Sequence, residues 1–563
     1  MAGLLTYAAS ARGASTFSFP PTNVGTVAVS AIDEASGLVA SRNNSNVLWT
    51  HNDSGDTNRI FALSTTGQLL GTYTLPGATN TDWEDIAIGP GPEPGVEYLY
   101  ITNASNGSNV RITRIAEPSV YAAQQAGSPL NKNVPGAESQ TFNITAPDVE
   151  SMFVDPLNGD FYLGSKELSG TSGTNFFRGT QSQFGTAGTQ TLSLVANSSW
   201  IARANGASIT PDGSQIFVRN QNQFAFLFDR TPGETIAQTM VKVPQWIEVN
   251  GKSVEANAEA IAFDAYGNNF YTFSEGVNQK LYKYTRTSND GPAIPTTLVA
   301  AASDWKYLDG GAARDANWNQ PGASDGSWAT GSGPFGFGQG NEQTVLSFGG
   351  NASSKAVSYE FRNSFEVDSI LVATDLTLKL LVDDGAAVFF NGTEITRFNL
   401  GVGAADNDLA LAPLTDSLQN TWRTYSIDPS LLLGGTNTLA IEVHTSSLSD
   451  IDLRFDAQLI GNLTNHPGDL NGDGFIGQDD LNLILGNWGE NVTPGNSLLG
   501  DPSQDGFVGQ DDLNLVLGGW GRGNAPVPIP EPSSLVLMGL AAIGMVIHRI
   551  RRPARHAKSQ SMS

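Results

Sequence analysis

Two 12-residue segments near the C-terminus carry oxygen-bearing residues at the spacing that a calcium loop requires. Calcium binds six to eight oxygen atoms, and a loop of about 12 residues supplies them from positions 1, 3, 5, 7 and 12, with glycine at position 6 for the sharp turn. Gly474 and Gly506 stand at that sixth position. The sequence therefore predicts two bound calcium ions, with the ligands Asp469, Asn471, Asp473, the Phe475 carbonyl and Asp480 in the first loop, and Asp501, Ser503, Asp505, the Phe507 carbonyl and Asp512 in the second.

An amphipathic helix is predicted directly after each loop, because apolar residues recur at i, i+3, i+4 and i+7. They are Leu481, Ile484, Leu485 and Trp488 after the first loop, and Leu513, Val516, Leu517 and Trp520 after the second. This duplicated unit over residues 467–523 resembles a type I dockerin, which implies two calcium ions and a cohesin-like protein partner. Dockerins often contact that partner through a Ser/Thr pair at loop positions 10 and 11, where this chain has Gln478-Asp479 and Gln510-Asp511. A pair of plain Asp/Asn/Gly turns is the alternative interpretation.

The C-terminal segment has the composition of a sorting signal. It comprises a linker over 524–532 that ends in Pro530, Glu531 and Pro532, an uncharged run with a basic stop over 533–552, and a basic tail over 553–563. The uncharged run is shorter than the roughly 20 apolar residues of an ordinary spanning helix. Motif, short helix and basic stop resemble the PEP-CTERM signal of exported bacterial proteins. The resemblance implies a transmembrane sorting helix, a transient anchor in the inner membrane with its basic end inside, a processing protease as partner, and a final place at the cell surface or outside it. An ordinary C-terminal anchor is the alternative.

The composition agrees with an exported protein. The net charge is −25, and such an acidic chain repels a phosphate backbone, so nucleic acid is excluded as a partner. The chain contains no cysteine, so disulfides do not stabilise it. Residues 1–23 read as the remnant of a secretory signal peptide, because a short apolar stretch ends in an Ala-x-Ala pattern.

Residues 24–295 contain a repeated unit. Each copy reads as an apolar strand, a Gly-containing turn, a second strand and an aromatic third strand, without helical periodicity. Repeats of this size made of short strands indicate a β-propeller. A sixth blade within 116–149, or closure of the ring by a strand near 24–29, stays open beside the five visible copies, which begin at Glu34, Glu84, Glu150, Asn205 and Glu259.

The recurring glutamates are the candidate catalytic residues of this block. At the start of the innermost strands, four of them would gather around the channel, and the full candidate set is Glu34, Glu84, Asp85, Glu150, Glu259 and His51. Carboxylates that share one funnel repel each other, so they need a cation or raised pKa values. Three interpretations stay open: the glutamates accept backbone hydrogen bonds, hold a further calcium ion without catalysis, or form an active site.

Two short acidic segments near the recurring glutamates add to the candidate site of this block. They are His51-Asn52-Asp53-Ser54-Gly55-Asp56 and Asp82-Trp83-Glu84-Asp85. Patches of this kind resemble those of secreted bacterial propellers, and related propeller groups include calcium-dependent lactonases and phytases. Residues 102–109, where an acidic segment is expected from that resemblance, carry amides and hydroxyls instead. Such groups replace carboxylates poorly in metal binding and in acid–base catalysis.

Residues 299–462 form a second predicted β domain, with a hairpin turn at Asn391-Gly392. Its tryptophans, Gly-rich turns and Asp383-Asp384 segment resemble galactose-binding-like jelly-roll modules, which implies a β-sandwich more than a ligand. Trp318 and Trp328 either pack loops onto the sandwich, which we favour, or stack on sugar rings. Asp383-Asp384 either braces the hairpin or holds an ion.

The sequence thus predicts a mainly β, multidomain protein: a five- or six-bladed propeller, a jelly-roll sandwich, a small helical calcium module and a C-terminal sorting helix. We favour a non-enzymatic cell-surface or extracellular-matrix protein that binds calcium through its dockerin-like loops and carbohydrate or protein through its β domains. The alternative is a secreted calcium-dependent hydrolase of phosphoesters, lactones or glycosides that acts in polysaccharide breakdown. The repeated glutamates favour the hydrolase, whereas the neutral 102–109 segment favours the binding protein.

Overall fold

The computed structural model describes residues 15–104, 109–145, 148–166, 173–220, 224–288, 292, 294–415 and 418–523. The protein is mainly β and its chain separates into two compact units. The first unit comprises the N-terminal part (residues 22–285) and the central part (residues 296–367 and 372–464), and the second is the C-terminal unit (residues 368–371 and 465–523). The predicted PEP motif, sorting helix and basic tail lie outside the described residues.

Short strands follow one another through the whole N-terminal part. Two short helices interrupt them, α1 (Ala122–Gln125) and α2 (Ile236–Met240). The strands are β1 (Thr22–Val27), β2 (Ala35–Ala40), β3 (Val47–Asn52), β4 (Arg59–Ser64), β5 (Leu69–Thr74), β6 (Trp83–Pro90), β7 (Glu97–Asn103), β8 (Asn109–Ala116), β9 (Leu130–Asn133), β10 (Glu138–Asn143), β11 (Val149–Val154), β12 (Phe161–Ser165), β13 (Thr174–Gly179), β14 (Gln190–Thr191), β15 (Ser193–Ser198), β16 (Ala204–Ile209), β17 (Gln215–Asn220), β18 (Phe224–Asp229), β19 (Gln245–Glu248), β20 (Ala258–Phe263), β21 (Asn269–Ser274) and β22 (Gln279–Thr285).

These strands form five sheets, whose orders are β2-β3-β4-β5-β9, β6-β7-β8-β10-β14, β11-β12-β13-β15, β16-β17-β18-β19 and β20-β21-β22-β1. The first strand of each sheet contacts the first strand of the next, and β20 contacts β2, so the contacts close into a ring. An apolar core lies between each pair of successive sheets. These first strands are fully or almost fully buried, as is expected where both faces of a strand pack.

The predicted sixth blade is absent from the described residues of 116–149. Strand β9 pairs in parallel with β5, and β10 pairs with β8, so this stretch extends the first and second sheets. The N-terminal strand instead completes the fifth sheet, because β1 pairs antiparallel with β22. Of the two possibilities that the sequence left open, the observed pairing agrees with the one in which the N-terminal strand joins the last sheet.

The central part contains two further sheets that share one apolar core. Their orders are β27-β26-β34-β29-β32, with β23 beside β34, and β25-β24-β28-β33-β30-β31. The strands are β23 (Thr296–Val299), β24 (Asp304–Leu308), β25 (Ala329–Ser332), β26 (Phe335–Phe337), β27 (Thr344–Val345), β28 (Ser358–Val367), β29 (Leu371–Asp383), β30 (Gly385–Phe390), β31 (Thr393–Phe398), β32 (Arg423–Ile427), β33 (Gly435–His444) and β34 (Leu453–Asn465). The predicted turn at Asn391-Gly392 joins β30 to β31, and both residues have the positive φ that such a turn needs.

The C-terminal unit is built from a duplicated loop and helix, α3 (Gln478–Gly486) and α4 (Gln510–Gly518). Ile484 and Val516, one from each helix, pack in a small core with Ile476 and Val508. The predicted helical faces are shorter than expected, because each helix ends at a glycine, Gly486 or Gly518. Trp488 and Trp520 therefore lie beyond the helix ends and are 46 and 47% exposed, and Leu485 and Leu517, which lie within the helices, are also exposed, at 55 and 50%.

Candidate functional site

Each first strand of the N-terminal sheets begins with an irregular register. The pairing shifts by a residue or more at the start of β2, β6, β11, β16 and β20. Bulges of this kind re-aim side chains and are over-represented beside functional sites. The repeated position of the sequence falls at or next to each bulge, and it holds Glu34, Glu84, Glu150, Asn205 and Glu259.

Five carboxylates meet at this end of the ring, and we call them the acidic cluster: Asp53, Asp82, Glu84, Asp148 and Glu150. Oxygens of Asp53, Asp82 and Glu84 lie within 4.8 Å of one another, and so do oxygens of Glu84, Asp148 and Glu150. Glu84 therefore belongs to both groups. Each group has the oxygen-rich composition that calcium prefers.

Burial and mutual repulsion govern the charge of the acidic cluster. Burial, followed by the nearby carboxylates of Glu150 and Asp53, raises the pKa of Glu84 to about 11. Burial and then the carboxylate of Asp82 raise the pKa of Asp53 to about 7. Burial raises the pKa of Glu150 to about 8, although its ion pair with Lys166 acts in the opposite direction. At neutral pH the cluster therefore retains protons that a bound cation would displace.

Glu259 and Glu34 lie outside the two carboxylate groups, although both raise the pKa of Asp53. Glu259 accepts a hydrogen bond from Ser36 Oγ at 3.2 Å and lines a cavity of about 190 Å³ with Arg219, Glu255 and Glu275. Glu34 is exposed at the rim. Neither residue joins a metal-sized carboxylate group among the described residues.

Asp85 links three of the sheets by hydrogen bonds, and His51 is buried beside Trp83. Asp85 is fully buried, and its carboxylate accepts from the amides of Ile86 (2.9 Å), Met152 (2.7 Å) and Ala207 (3.2 Å), which lie on the first strands of three successive sheets. His51 is also buried, with its ring edge-on to Trp83 at 5.5 Å. Burial lowers the pKa of His51 to about 4, so its imidazole is neutral at pH 7. Both side chains lie in the interior, without the exposure that a general base needs.

Of the six candidate residues, Glu84 and Glu150 lie in the acidic cluster. The sequence analysis noted Asp53 and Asp82 as neighbours and did not single out Asp148. Asp148 lies two residues before Glu150, in the loop that leads to β11. The amide segment after the second strand has a structural role where it is described. Asn103 Nδ2 donates to the Thr79 carbonyl at 2.7 Å and braces the loop that leads to Asp82.

The second C-terminal loop brings its carboxylates together. Oxygens of Asp501, Asp505 and Asp512 lie within 4.8 Å of one another. Asp501 and Asp512 are buried, whereas Asp505 is exposed. Backbone amides hold them in place, since Asp512 accepts from Ser503 N at 3.0 Å and from Gly509 N at 2.7 Å, and Asp501 accepts from Gly506 N at 3.0 Å. Ser503 Oγ donates to Asp501 at 3.2 Å.

The first C-terminal loop repeats this framework. Asp480 is buried and accepts from Leu470 N at 2.8 Å and from Gly477 N at 2.8 Å. Asp469 accepts from Gly474 N at 3.2 Å. Asn471 and Asp473 are exposed and face the loop interior through short local bonds, Asp473 N to Asn471 Oδ1 and Phe475 N to Asp473 Oδ1. The two loops share the turn geometry at their sixth position, with Gly474 at φ 82° and Gly506 at φ 81°. Among the described residues, however, the carboxylates of Asp469, Asp473 and Asp480 in the first loop do not gather within 4.8 Å as those of the second loop do.

The candidate residues of the central part make packing contacts and hydrogen bonds within the sandwich. Trp318 and Trp328 are buried and stack on each other at 6.2 Å, so their rings are closed to a sugar. Asp384 braces neighbouring loops by accepting from Leu414 N at 2.7 Å and Ser446 N at 2.8 Å. Burial, followed by the neighbouring Asp384, raises the pKa of Asp383 to about 9.

Comparison with protein families gives one match. Residues 528–552 match the family described as the PEP-CTERM protein-sorting motif. The chain therefore carries a signal for export and for membrane-associated sorting at its C-terminus. Comparison with curated proteins gives no match. Among the described residues no helix has the length and apolar character needed to cross a bilayer.

Proposed function

We propose that this exported, surface-sorted protein binds two calcium ions through its C-terminal loops and presents its β domains as a binding surface for carbohydrate or protein. The observation that supports it best is the carboxylate group of Asp501, Asp505 and Asp512, held within 4.8 Å by backbone amides. The first loop repeats the sequence and the amide framework. Two loops of this kind, each followed by a helix, favour a dockerin-like module.

Calcium explains why these loops gather negative charge. Two of the three carboxylates in the second loop are buried, and like charges at such distances repel. A divalent cation bound in each loop would remove that repulsion, and its remaining ligands would include the Phe475 carbonyl in the first loop or the Phe507 carbonyl in the second. The calcium ions supply charge and rigidity, and the residues of the chain position the loops and helices around them.

We also propose that the N-terminal part is a five-bladed β-propeller and the central part a galactose-binding-like sandwich. The ring of contacts between five successive sheets supports the first, and two sheets around a common core support the second. Exposed Leu485, Trp488, Leu517 and Trp520 would offer a cohesin-like partner an apolar surface on the calcium module. A processing protease that recognises residues 528–552 is the second proposed partner.

Thermal unfolding of the full chain with calcium or with EDTA tests the calcium proposal. Extracellular calcium modules have Kd values of about 10⁻⁴ to 10⁻³ M, and ligand at 100 times Kd stabilises by about 2.7 kcal/mol. We expect 10 mM calcium to raise the transition of the C-terminal unit by on the order of 10 °C. Asp512→Asn should remove part of that shift, and Asp511→Asn, its exposed neighbour, should not. An equal shift in both variants would contradict the proposal.

A second candidate function is a calcium-dependent hydrolase at the acidic cluster. Glu84 supports it, because this residue belongs to both carboxylate groups and so could bridge two cations. Bound calcium would supply Lewis acidity there, and Asp53 or Asp148 would orient an attacking water. The Glu150–Lys166 ion pair and the amides near Asn103 favour the non-enzymatic function. Calcium-dependent turnover of phosphoesters, lactones or glycosides that Glu84→Gln abolishes would establish the hydrolase.

A further inference from the structure

A cavity of about 370 Å³ with both polar and apolar lining lies between the N-terminal and central parts of the first unit, and no residue of the acidic cluster lines it. Arg42 and Asn43, which follow β2, line it from the N-terminal part. Lys379 on β29 lines it from the central part and donates through Nζ to the Arg42 carbonyl. Sites for small ligands usually have volumes of roughly 300 to 1,000 Å³, so this cavity is large enough for one.

Three neighbouring side chains in this cavity leave buried polar atoms without a partner. They are Arg42 Nη1, both amide atoms of Asn43, and Glu97 Oε2. Asn43 is 8% exposed, and its backbone amide is fixed by a 3.2 Å hydrogen bond to Glu117. More than roughly 90% of buried polar groups in proteins are hydrogen-bonded, so an unpaired set in one cavity indicates a missing bound molecule.

The chemistry of these atoms defines the molecule. Arg42 Nη1 and the Asn43 amide nitrogen need acceptors, while Glu97 Oε2 and the Asn43 amide oxygen need donors. A hydroxyl group both donates and accepts, and several hydroxyls on one small frame satisfy such a mixed set. The lining charges have both signs, with Arg42 and Lys379 against Glu97 and Asp212, which favours a neutral ligand over an anion.

One aromatic ring completes the site. Tyr266 lines the same cavity and is 38% exposed. An exposed aromatic face offers an apolar surface for the C–H face of a pyranose, with its polar end left in water. We propose that this cavity binds a neutral polyhydroxylated ligand, the terminal unit of a saccharide chain. The inference rests on the proposed carbohydrate-binding function of the β domains and assigns it to a site separate from the acidic cluster.

Calorimetric titration of the purified full chain tests the assignment. The probes are glucose, galactose, mannose and N-acetylglucosamine, their β-1,4-linked disaccharides, and inorganic phosphate. We expect at least one saccharide to bind with a millimolar or lower Kd, and Asn43→Leu to weaken it at least tenfold, because leucine keeps the size but neither donates nor accepts. Glu97→Gln, which keeps the shape, should also weaken it. Glu248→Gln, at an exposed residue of β19 that does not line the cavity, should leave the affinity unchanged.

The outcomes separate this inference from the proposed function. An unfolding temperature of Asn43→Leu at or above that of the wild type would show that the variant folds. If Asn43→Leu does not fold, Glu97→Gln alone tests the site. Saccharide binding that survives Asn43→Leu and Glu97→Gln but is lost in Glu84→Gln would overturn this site while leaving carbohydrate binding intact. Tighter binding of phosphate than of any saccharide, or no saccharide binding to a chain that still binds calcium, would also overturn the assignment.

Discussion

The substitution Glu84→Gln should stabilise the calcium-free protein at neutral pH. Glu84 is 7% exposed, and burial and the surrounding carboxylates raise its pKa to about 11. In the unfolded chain a glutamate has a pKa of about 4.3. Between these values the folded state keeps a proton that the unfolded state releases. The contribution of Glu84 to the free energy of unfolding is therefore fully present below about pH 4 and is lost as the pH rises.

The size of the effect follows from that linkage. Each pH unit in the window costs at most about 1.4 kcal/mol, so a rise from pH 5 to pH 7 costs up to about 2.7 kcal/mol. Glutamine has the shape of a protonated glutamate and does not ionise. Counted from the unfolded pKa of about 4.3, we therefore expect Glu84→Gln to raise the free energy of unfolding at pH 7 by up to about 4 kcal/mol and to flatten the dependence of stability on pH.

Urea unfolding in EDTA at pH 5, 6, 7 and 8 measures both effects. Glu34→Gln is the matched control, because Glu34 occupies the corresponding position of the first sheet but is exposed at the rim. Calcium bound at the acidic cluster should narrow the difference between wild type and Glu84→Gln, because it would stabilise the N-terminal part of the wild type more than that of the variant. A Glu84→Gln variant that is less stable than wild type at pH 7, or that keeps the wild-type pH dependence, would refute the reasoning.

Three further predictions concern the buried polar groups of the first unit. Asp85→Ala leaves three backbone amides unpaired and should cost about 3 kcal/mol or more in urea unfolding, whereas Glu394→Ala removes an exposed carboxylate from its ion pair with Arg397 and should cost less than about 1 kcal/mol. Arg314→Ala leaves buried carboxylates unpaired and should cost about 3 to 5 kcal/mol, of which Glu442→Gln should restore a part in the double variant. Because His51 has a pKa of about 4 when folded and about 6.5 when unfolded, stability in a Glu84→Gln background should fall by up to about 3 kcal/mol between pH 6.5 and pH 4, and unfolding at those two pH values checks this.

The repeated sequence located the first strand of every N-terminal sheet, because strand alternation and glycine turns are local signals. The two C-terminal units of loop and helix were equally readable, since the predicted ligands of each loop lie within 12 residues of one another. The acidic cluster was only partly readable. Asp53, Asp82 and Asp148 come from three different loops, and their approach depends on how the sheets pack around the ring.

Burial and long-range contacts account for the remaining differences. Trp318 and Trp328 had two interpretations in the sequence, and only the packing of the central sheets closes their rings to solvent. The proposed saccharide cavity had no sequence signal at all. It joins Arg42 to Lys379, which are 337 residues apart, and it arises from unpaired atoms that only the folded chain reveals.

The number of calcium ions bound to the purified full chain, counted by native mass spectrometry, tests the proposed calcium loops most directly. We predict two ions in the loops, with one lost in Asp480→Asn and one in Asp512→Asn. The matched variants Asp479→Asn and Asp511→Asn should keep both, because these exposed residues lie outside the predicted ligand set. A chain that binds no calcium, or a count that is the same in all four variants as in wild type, would contradict the proposal.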